Sequence, residues 1–278
     1  MFVQRTVLYA KSVSASRGSP KSRPSAAASP TGYSPTEAAA AASAALPPPP
    51  RFPRPSKRPT RRTALTVEAI VAAAIGVLDE GGVAGLSMRR VADRLGTGAA
   101  SLYAHVTGKE ELLELVFDDL VGQVPLPEPD PKIWRVQVRQ MLRDWRAVLI
   151  SHRDAALAGL GRIPTSPKTL AAAETLVATL RAGGLSDRAI ALGLDQLTLY
   201  VAADAFETGL MEHGGMSPED VQRYYDDVHA FYSRLPADRF PALASVADDM
   251  TGPDGDERFE FGLDVLIAGL EAVSAGTS

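Results

Sequence analysis

The chain has 278 residues, 45% of them hydrophobic, which allows one large or two small domains with a sizeable core. It contains no cysteine, which excludes a disulfide framework, a thiolate metal site and a cysteine nucleophile, and which suits a reducing cytoplasm. The formal net charge of −4 does not by itself indicate a protein that binds nucleic acid.

The first 62 residues form a low-complexity segment rich in Ala, Pro and Ser. Such a composition buries too little apolar surface to offset its ordering entropy, so we predict a disordered tail over residues 1–62. Residues 1–65 carry eleven Lys or Arg and one acid, whereas the rest of the chain carries eighteen basic and thirty-two acidic residues. Two interpretations stay open: a basic arm that contacts DNA phosphates, or an inert solvated tail.

Apolar residues at helical spacing predict four helices after this tail. Cap residues and glycines set their limits at Thr66 to Gly82, Ser87 to Gly96, about 99 to 106, and Thr107 to Val124. The fourth opens on Thr107-x-x-Glu110, which matches a capping box. Two short helices joined by a tight glycine turn, with a supporting helix on either side, are typical of a helix-turn-helix at roughly residues 85–106.

The third helix carries small residues at its N-terminal end, so it can approach the DNA major groove closely. Tyr103, His105 and Lys109 are expected to reach phosphates, although a core tyrosine and a surface histidine are alternative readings. Arg89 and Arg90 begin the second helix and are placed for the DNA backbone, Arg89 also for a guanine edge. The predicted DNA-binding residues are Arg89, Arg90, Gly98, Ala99, Ala100, Ser101, Tyr103, Ala104, His105 and Lys109.

The second half follows a stiff, proline-rich linker at 125–131. Five more helices are predicted, starting at Asp130-Pro131, Ser166-Pro167, Ser186, Ser217-Pro218 and about Asp256. No stretch shows β alternation, so we predict an all-α fold with a helix-turn-helix domain at 63–124 and a second helical domain at 130–275. The longest apolar stretch, 189–203, contains Asp195 and is too short for a transmembrane segment.

The stretch from Thr66 to Leu113 resembles the DNA-binding domain of the TetR family of bacterial repressors. The resemblance rests on Leu86-Ser87-Met88-Arg89-Arg90-Val91-Ala92, Leu95-Gly96, Ser101-Leu102-Tyr103-Ala104-His105-Val106 and Lys109-Glu110-Glu111-Leu112-Leu113. Gly98 departs from the polar capping residue that is common in the family. A weaker resemblance to tetracycline repressors covers 151–164, where Gly159 and Ile163 replace a histidine and an arginine that serve the drug–magnesium site, which argues against that ligand.

The resemblance implies a homodimer in which the helix from Ser186 and the last helix, about 256–273, form a four-helix interface. It also implies a bacterial, cytoplasmic repressor that binds a pseudo-palindromic double-stranded operator and is released by a small-molecule effector, with no membrane association. Six residues are candidates for lining an effector pocket between helices, although core packing is the default reading at their spacing: Trp134, Met141, Trp145, His152, Tyr200 and Phe206.

An enzyme is the main alternative. Residues 96–101 nearly match a dinucleotide-binding G-x-G-x-x-G motif, but they follow a helix instead of a strand and lack the final glycine. The four histidines show no metal-ligand spacing, and there is no P-loop or nucleophile elbow, so we expect no enzyme activity, metal or cofactor. A non-specific architectural DNA binder is a second alternative, which would show a steep salt dependence and no sequence preference.

Overall fold

Helices account for all regular secondary structure in the residues that the computed structural model describes, which are 65–160, 165–213, 215, 217–252 and 254–276. The predicted all-α fold is confirmed for this part of the chain. The predicted tail at 1–62 lies outside the described residues. The first four helices are α1 (Val67–Gly85), α2 (Met88–Arg94), α3 (Ala99–Leu102) and α4 (Lys109–Val121).

Side-chain caps set the starts of α1 and α2, as predicted. The Thr66 hydroxyl accepts a hydrogen bond from the Ala69 amide at 3.2 Å, and the Ser87 hydroxyl accepts one from the Arg90 amide at 3.3 Å. Each cap satisfies an amide that has no partner within its helix. Gly82 interrupts α1 with φ 63° and ψ −173°, but the chain resumes helical geometry as far as Gly85 instead of ending at the glycine pair.

Two predictions about the helix-turn-helix are corrected. The third helix ends at Leu102 and continues only as a turn, so it is shorter than the predicted 99–106; Gly98 has no side chain with which to cap it. At α4 the N-cap is Gly108, and Glu111 instead of Glu110 reaches back to the Thr107 amide at 2.5 Å and hydroxyl at 2.6 Å. Hydrogen bonds from the Thr107 hydroxyl and amide hold the pKa of Glu111 below its ordinary value.

The C-terminal region contains five long helices, which are α5 (Trp134–Ser151), α7 (Pro167–Ala182), α8 (Asp187–His213), α9 (Pro218–Ser233) and α12 (Gly255–Ala275). Three short helices lie between them, α6 (Ala155–Gly159), α10 (Pro241–Ser245) and α11 (Ala247–Thr251). The predicted cap at Asp130-Pro131 is wrong: the Asp130 carboxylate accepts from the Lys132 amide in a turn, and α5 starts later. The three short helices were not predicted, because five residues are too few to show a helical period.

One hydrophobic cluster runs from the first four helices into α5, α6, α7, α8 and α12. Helix α8 packs on α5 and α12, and its Leu197 and Val201 are fully buried. By length and composition alone α8 is apolar enough to cross a membrane, and 39% of its most apolar stretch is buried here. The core helix of a folded domain has the same length and apolar composition. Helix α8 packs on two other long helices, as a core helix does.

A row of ion pairs joins α5 to α12, and we call it the α5–α12 ladder. Its pairs are Arg135–Glu271, Arg139–Asp264, Arg139–Glu260, Arg143–Glu260 and Arg146–Asp256. The order of the partners shows that the two helices run antiparallel. Because the arginines recur once per turn of α5, the ladder fixes the register of α12 on α5.

Arg146 is the most buried cation of the ladder, with 12% of its side chain exposed. Its guanidinium also pairs with Asp204 of α8 at 2.5 Å and lies 4.6 Å from the centre of the Phe259 ring. Burial alone would lower the pKa of Arg146, but the hydrogen bonds and charges of Asp204 and Asp256 together outweigh it and raise that pKa. Arg146 therefore connects α5, α8 and α12 at one point.

Replacing Glu260 by glutamine should lower the free energy of unfolding at pH 7 by about 1 kcal/mol or less, because a third of its side chain is exposed. A hydrogen bond from Arg143 is the main cause that lowers the pKa of Glu260, so its contribution is present above the unfolded-state pKa and is lost as the pH falls through the folded-state pKa. Urea unfolding at pH 7 and at successively lower pH, with exposed Glu174→Gln as control, measures this. An undiminished difference at pH 3 would contradict the assignment.

Candidate nucleic-acid interface

The short helix α3 stands on the core through one fully buried residue. Leu102 is completely inaccessible to solvent, and Val106 in the following turn is also buried. The other side of the segment faces outward, with Tyr103 56% exposed. The predicted contact residues that are exposed are Gly98, Ala100, Ser101, Tyr103, Ala104 and His105, whereas Ala99 is half-buried. The segment therefore presents a continuous outer surface of small and polar groups.

The turn between α2 and α3 depends on Gly96. Its φ is 63°, a conformation that glycine adopts without steric cost. The Gly96 amide donates to the Asp93 carbonyl at 3.1 Å, and the Thr97 amide donates to the Ala92 carbonyl at 3.0 Å. These are the two hydrogen bonds of a Schellman motif, which ends α2 sharply and directs the chain into α3. The predicted stop at Gly96 is confirmed.

The two arginines that begin α2 differ in their surroundings. The Arg89 side chain is 89% exposed and pairs loosely with Asp93 at 3.9 Å, so its guanidinium is available to a ligand. Arg90 donates to the Gly85 carbonyl at 3.0 Å and to Glu80 at 3.4 Å. Arg94, which sequence reasoning passed over, donates to the other Glu80 oxygen at 2.5 Å. Arg90 and Arg94 thus hold the end of α1 against α2.

Lys109 lies at the start of α4, as predicted, but it is half-buried. Its ammonium donates to the carbonyl of Val83 at 2.7 Å and so ties α4 to the end of α1. An ammonium has three donors, so two remain for another acceptor. Lys109 therefore has an observed structural role in joining α4 to α1, and its role in phosphate binding stays a prediction.

Two contacts connect the end of α1 with the turn between α5 and α6. The Val83 amide donates to Asp154 Oδ2 at 3.0 Å, and His152 Nδ1 lies 3.0 Å from Asp79 Oδ1. Asp154 has φ 57°, a left-handed conformation that aspartate tolerates better than most residues. We call these four residues the α1–α5 junction. The backbone of Val83 is held by Asp154 through its amide and by Lys109 through its carbonyl, so one residue links the helix-turn-helix to the C-terminal helices.

The six residues predicted to line an effector pocket are spread over the C-terminal helices. Trp134 packs at the other end of α5 from His152, against Gly183 after α7, where any side chain would collide with its indole. Met141 is buried in the core, and Phe206 packs against it from α8. His152 belongs to the α1–α5 junction instead. The six residues therefore do not form one described cavity, and their pocket role stays a prediction.

Tyr200 and Trp145 have distinct polar environments. The Tyr200 hydroxyl donates to the carbonyls of Arg258 and Phe259, and its ring stacks on Phe259 with centroids 5.5 Å apart. Among the described residues, none accepts a hydrogen bond from the indole N–H of Trp145, although that nitrogen is shielded from solvent. An open groove of about 440 Å³ lies between α8 and α12 and is lined by Gln196, Leu199, Tyr200, Phe261, Gly262, Val265 and Leu266.

Comparison with known proteins agrees with this architecture. Residues 70–116 match the model of bacterial regulatory proteins of the tetR family, and residues 126–274 match the tetracyclin repressor-like C-terminal domain. An HTH-type transcriptional regulator of Saccharopolyspora erythraea is 33% identical over 80% of this chain and 91% of its own. The HTH-type transcriptional repressor DrrR1 of Streptomyces coeruleorubidus is 32% identical over 80% of this chain and 82% of its own.

Solved structures with the same fold include ActR of Streptomyces coelicolor in complex with actinorhodin. That structure is 41% identical, covers 78% of this chain and 100% of ActR, and superposes with a TM-score of 0.72. The match spans both the helix-turn-helix and the C-terminal helices. The chain belongs to the TetR family of bacterial regulatory proteins and is a DNA-binding transcriptional regulator.

Proposed function

We propose that this regulator is a homodimeric repressor in the bacterial cytoplasm, which binds a pseudo-palindromic operator and is released from it by a small organic effector. The observation that carries the DNA-binding part is the outward surface of α3, which stands on Leu102 and has exposed Arg89 beside it. Small residues at the start of α3 let its backbone approach the base edges. Family membership argues for regulation rather than enzyme activity.

The proposed DNA contacts divide into two groups. Arg89 and Ser101 read base edges, while Ala99 and Ala100 meet thymine methyl groups. Tyr103 and His105 contact phosphates, which fix the docking register. Gly98 and Ala104 have small side chains, so the backbone near them fits into the groove. Arg90 and Lys109 support the surface through their contacts with α1, and their contacts with DNA are secondary.

Selection of bound fragments from genomic DNA should yield a pseudo-palindrome, because two-fold symmetry of the protein is mirrored in its site.

Arg89→Ala and Tyr103→Ala should each raise the operator Kd about fivefold or more, equivalent to about 1 kcal/mol, with unchanged thermal stability. Arg90→Ala should instead lower the free energy of unfolding by about 1 kcal/mol, because its partners Gly85 and Glu80 are lost. Fluorescence anisotropy and thermal unfolding separate these effects.

Exposed Tyr224→Ala in α9 is the matched control for Tyr103→Ala, since both tyrosines are more than half exposed and Tyr224 lies outside the helix-turn-helix. Equal operator affinity in wild type, Arg89→Ala and Tyr103→Ala would remove the assigned DNA surface.

The face formed by α8 and α12 supports the homodimer. Leu192 of α8 and Phe261 and Val265 of α12 are large apolar residues with more than half of their surface exposed. Apolar residues exposed on adjacent long helices are typical of a protein–protein interface. Two copies of a two-helix face related by two-fold symmetry make a self-complementary four-helix bundle. The groove along this face is then closed by the partner.

Phe261→Glu should convert the protein to a monomer at micromolar concentration, because it places an unpaired charge in the proposed interface. Operator affinity should fall more than tenfold, since the second half-site is no longer bound by a linked protomer. Light scattering after size exclusion measures the mass, and Val136→Glu on the outer side of α5, also highly exposed, is the matched control. A dimeric Phe261→Glu variant would place the interface elsewhere.

Effector binding is proposed between α5 and the helices that pack on it. Trp145 supports this, because a shielded indole N–H without an acceptor costs free energy that a bound acceptor would recover. Trp145 packs against the hydrophobic core, which includes the buried Met141 one turn earlier on α5. The effector is therefore an apolar molecule with at least one hydrogen-bond acceptor. Actinorhodin, which ActR binds, is the first probe to test.

Effector binding and DNA binding are coupled through the α1–α5 junction in this proposal. An effector that moves the end of α5 acts on the Asp154 carboxylate and the His152 ring, which hold the end of α1. Because α1 supports α2 and α4, its displacement changes the placement of α3. The coupling free energy equals the effector's differential affinity for the two placements and is typically about 1–3 kcal/mol.

Saturating actinorhodin should raise the wild-type operator Kd tenfold or more. In Asp154→Gly this ratio should fall severalfold, since glycine keeps the left-handed backbone but removes the acceptor of the Val83 amide. Quenching of tryptophan fluorescence should show that actinorhodin still binds the variant. Asp238→Gly, an exposed loop aspartate, is the control. An unchanged ratio in Asp154→Gly would exclude the junction as the coupling path.

A further inference from the structure

Asp118, in the last turn of α4, is the only acidic or basic residue that is buried in the part of the chain that the structure describes, with 8% of its surface exposed. Its Oδ1 atom accepts hydrogen bonds from the Thr169 amide and from the Thr169 hydroxyl, both at 2.9 Å. A carboxylate loses its hydration on burial, so it needs hydrogen bonds or opposite charges in place of the water. The two bonds from Thr169 therefore hold the end of α4 against the start of α7.

Asp118 supplies a cap that α7 does not form from its own N-cap residue. That residue is Ser166, and its side chain forms no cap hydrogen bond. An amide in the first turn has no partner within its helix, and a carboxylate placed there also meets the positive end of the helix dipole. A cap from Ser166 would stabilise α7 wherever α4 lay, whereas Asp118 caps α7 only while α4 keeps this placement.

Two further contacts fasten the same end of α4. Lys168 donates to Asp119 Oδ1 at 2.6 Å, and its side chain covers Gly122, where any other side chain would collide with it. The Phe117 ring packs on Gly159 of α6, so closely that a side chain at that glycine would also collide. We give the contacts between α4 and α7 one name, the α4–α7 clamp, formed by Asp118, Asp119, Lys168 and Thr169.

Helix α4 connects this clamp with α3. Its first residue, Lys109, lies seven residues after the end of α3 and holds the Val83 carbonyl. Asp118 is nine residues further, about 14 Å along the helix axis, so a tilt of about 10° about the clamp moves the start of α4 by about 2.4 Å. In a two-fold dimer the displacements add to at most about 5 Å, against about 3.4 Å between successive base pairs.

We propose that Asp118 is a positioning residue for operator recognition, which sets the separation of the two α3 helices in the dimer and so the half-site spacing that the protein accepts. This inference rests on the proposed homodimer and its pseudo-palindromic operator. Asp118 has no contact with DNA in it, since base and phosphate contacts belong to the exposed residues of α2 and α3. The clamp is distinct from the α1–α5 junction, because it holds the end of α4 and the junction holds the end of α1.

Four variants separate this role from a purely structural one. Asp118→Ala removes the acceptor, whereas Asp118→Asn keeps an oxygen that can accept both bonds from Thr169. Thr169→Val is a milder second variant, which removes the hydroxyl donor and keeps the amide donor. Leu176→Ala is the matched control, because Leu176 is buried in the same helix two turns later and lies outside the clamp. It should lower the unfolding temperature at least as much as Asp118→Ala does.

The first measurement is the separation of the two α3 helices in the free dimer. Because the chain has no cysteine, Ala104→Cys places a single spin label per protomer on the exposed turn after α3. Double electron–electron resonance then gives the distance between the two labels. With Asp118→Ala this distance should shift or broaden by about 3 Å or more, the scale of the tilt above, and with Thr169→Val by less. Asp118→Asn and Leu176→Ala should keep the wild-type distribution.

The second measurement is the operator Kd, by fluorescence anisotropy, on duplexes whose half-sites are one base pair closer, unchanged, or one or two base pairs further apart. Wild type should prefer one spacing about tenfold or more, and in Asp118→Ala this preference should fall about threefold or more, or its optimum should move by one base pair. Leu176→Ala should keep the wild-type preference, because a loss of stability lowers the affinity for every duplex by the same factor.

An unchanged label distance or an unchanged spacing preference in Asp118→Ala would overturn this inference and leave operator binding intact. If Asp118→Ala does not fold, the same comparison is made with Thr169→Val, and a result equal to that of Leu176→Ala overturns the inference. A wild-type protein that is monomeric, or that prefers no duplex sequence, would overturn the proposed function as well.

Discussion

The burial of Leu102 is the constraint on which the DNA-binding surface depends. A helix of four residues has no stability of its own, because nucleation costs more than its few hydrogen bonds return. Leu102 is fully buried in a core that includes residues of α1, α2 and α4, and the Schellman turn at Gly96 aims the chain toward it. With one side fixed in this way, the other side is free to carry the exposed residues that face outward.

A single residue, Val83, is bound by side chains from both regions of the protein. The hydrophobic core is continuous from the first helices into the C-terminal ones, so the helix-turn-helix packs directly against the C-terminal helices. Within that contact, Val83 is bound through its amide by Asp154 and through its carbonyl by Lys109. Hydrogen bonds to charged groups are stronger than neutral ones, so in the proposed coupling Val83 is the residue that passes a displacement from α5 to the DNA-binding surface.

Charge serves different purposes in different parts of the chain. In the α5–α12 ladder, arginines and carboxylates neutralise one another and set helix register. In the helix-turn-helix, three of four cations hold α1, α2 and α4 together, which leaves the region with an excess of acid.

Local features of the fold were readable from the sequence. The caps at Thr66 and Ser87 and the stop at Gly96 each depend on residues within five positions of one another, and all three are observed. The family resemblance, carried by nearly fifty residues of motif, was likewise correct and led to the DNA-binding function. Local competition was harder to predict, since both Glu110 and Glu111 could cap α4 and only the backbone at Gly108 decides between them.

Long-range contacts were decided only by the tertiary structure. Asp154 and His152 meet α1 across 71 and 73 residues of sequence, and nothing in their local pattern indicates these partners. Likewise, Arg90 was predicted to contact the DNA backbone because it begins the second helix together with Arg89, and only the fold shows that Glu80 and Gly85 also lie within its reach. Helix periodicity and capping depend on residues that are close together in the sequence, so they can be recognised from it directly. The partner of a charged side chain depends instead on how the helices pack.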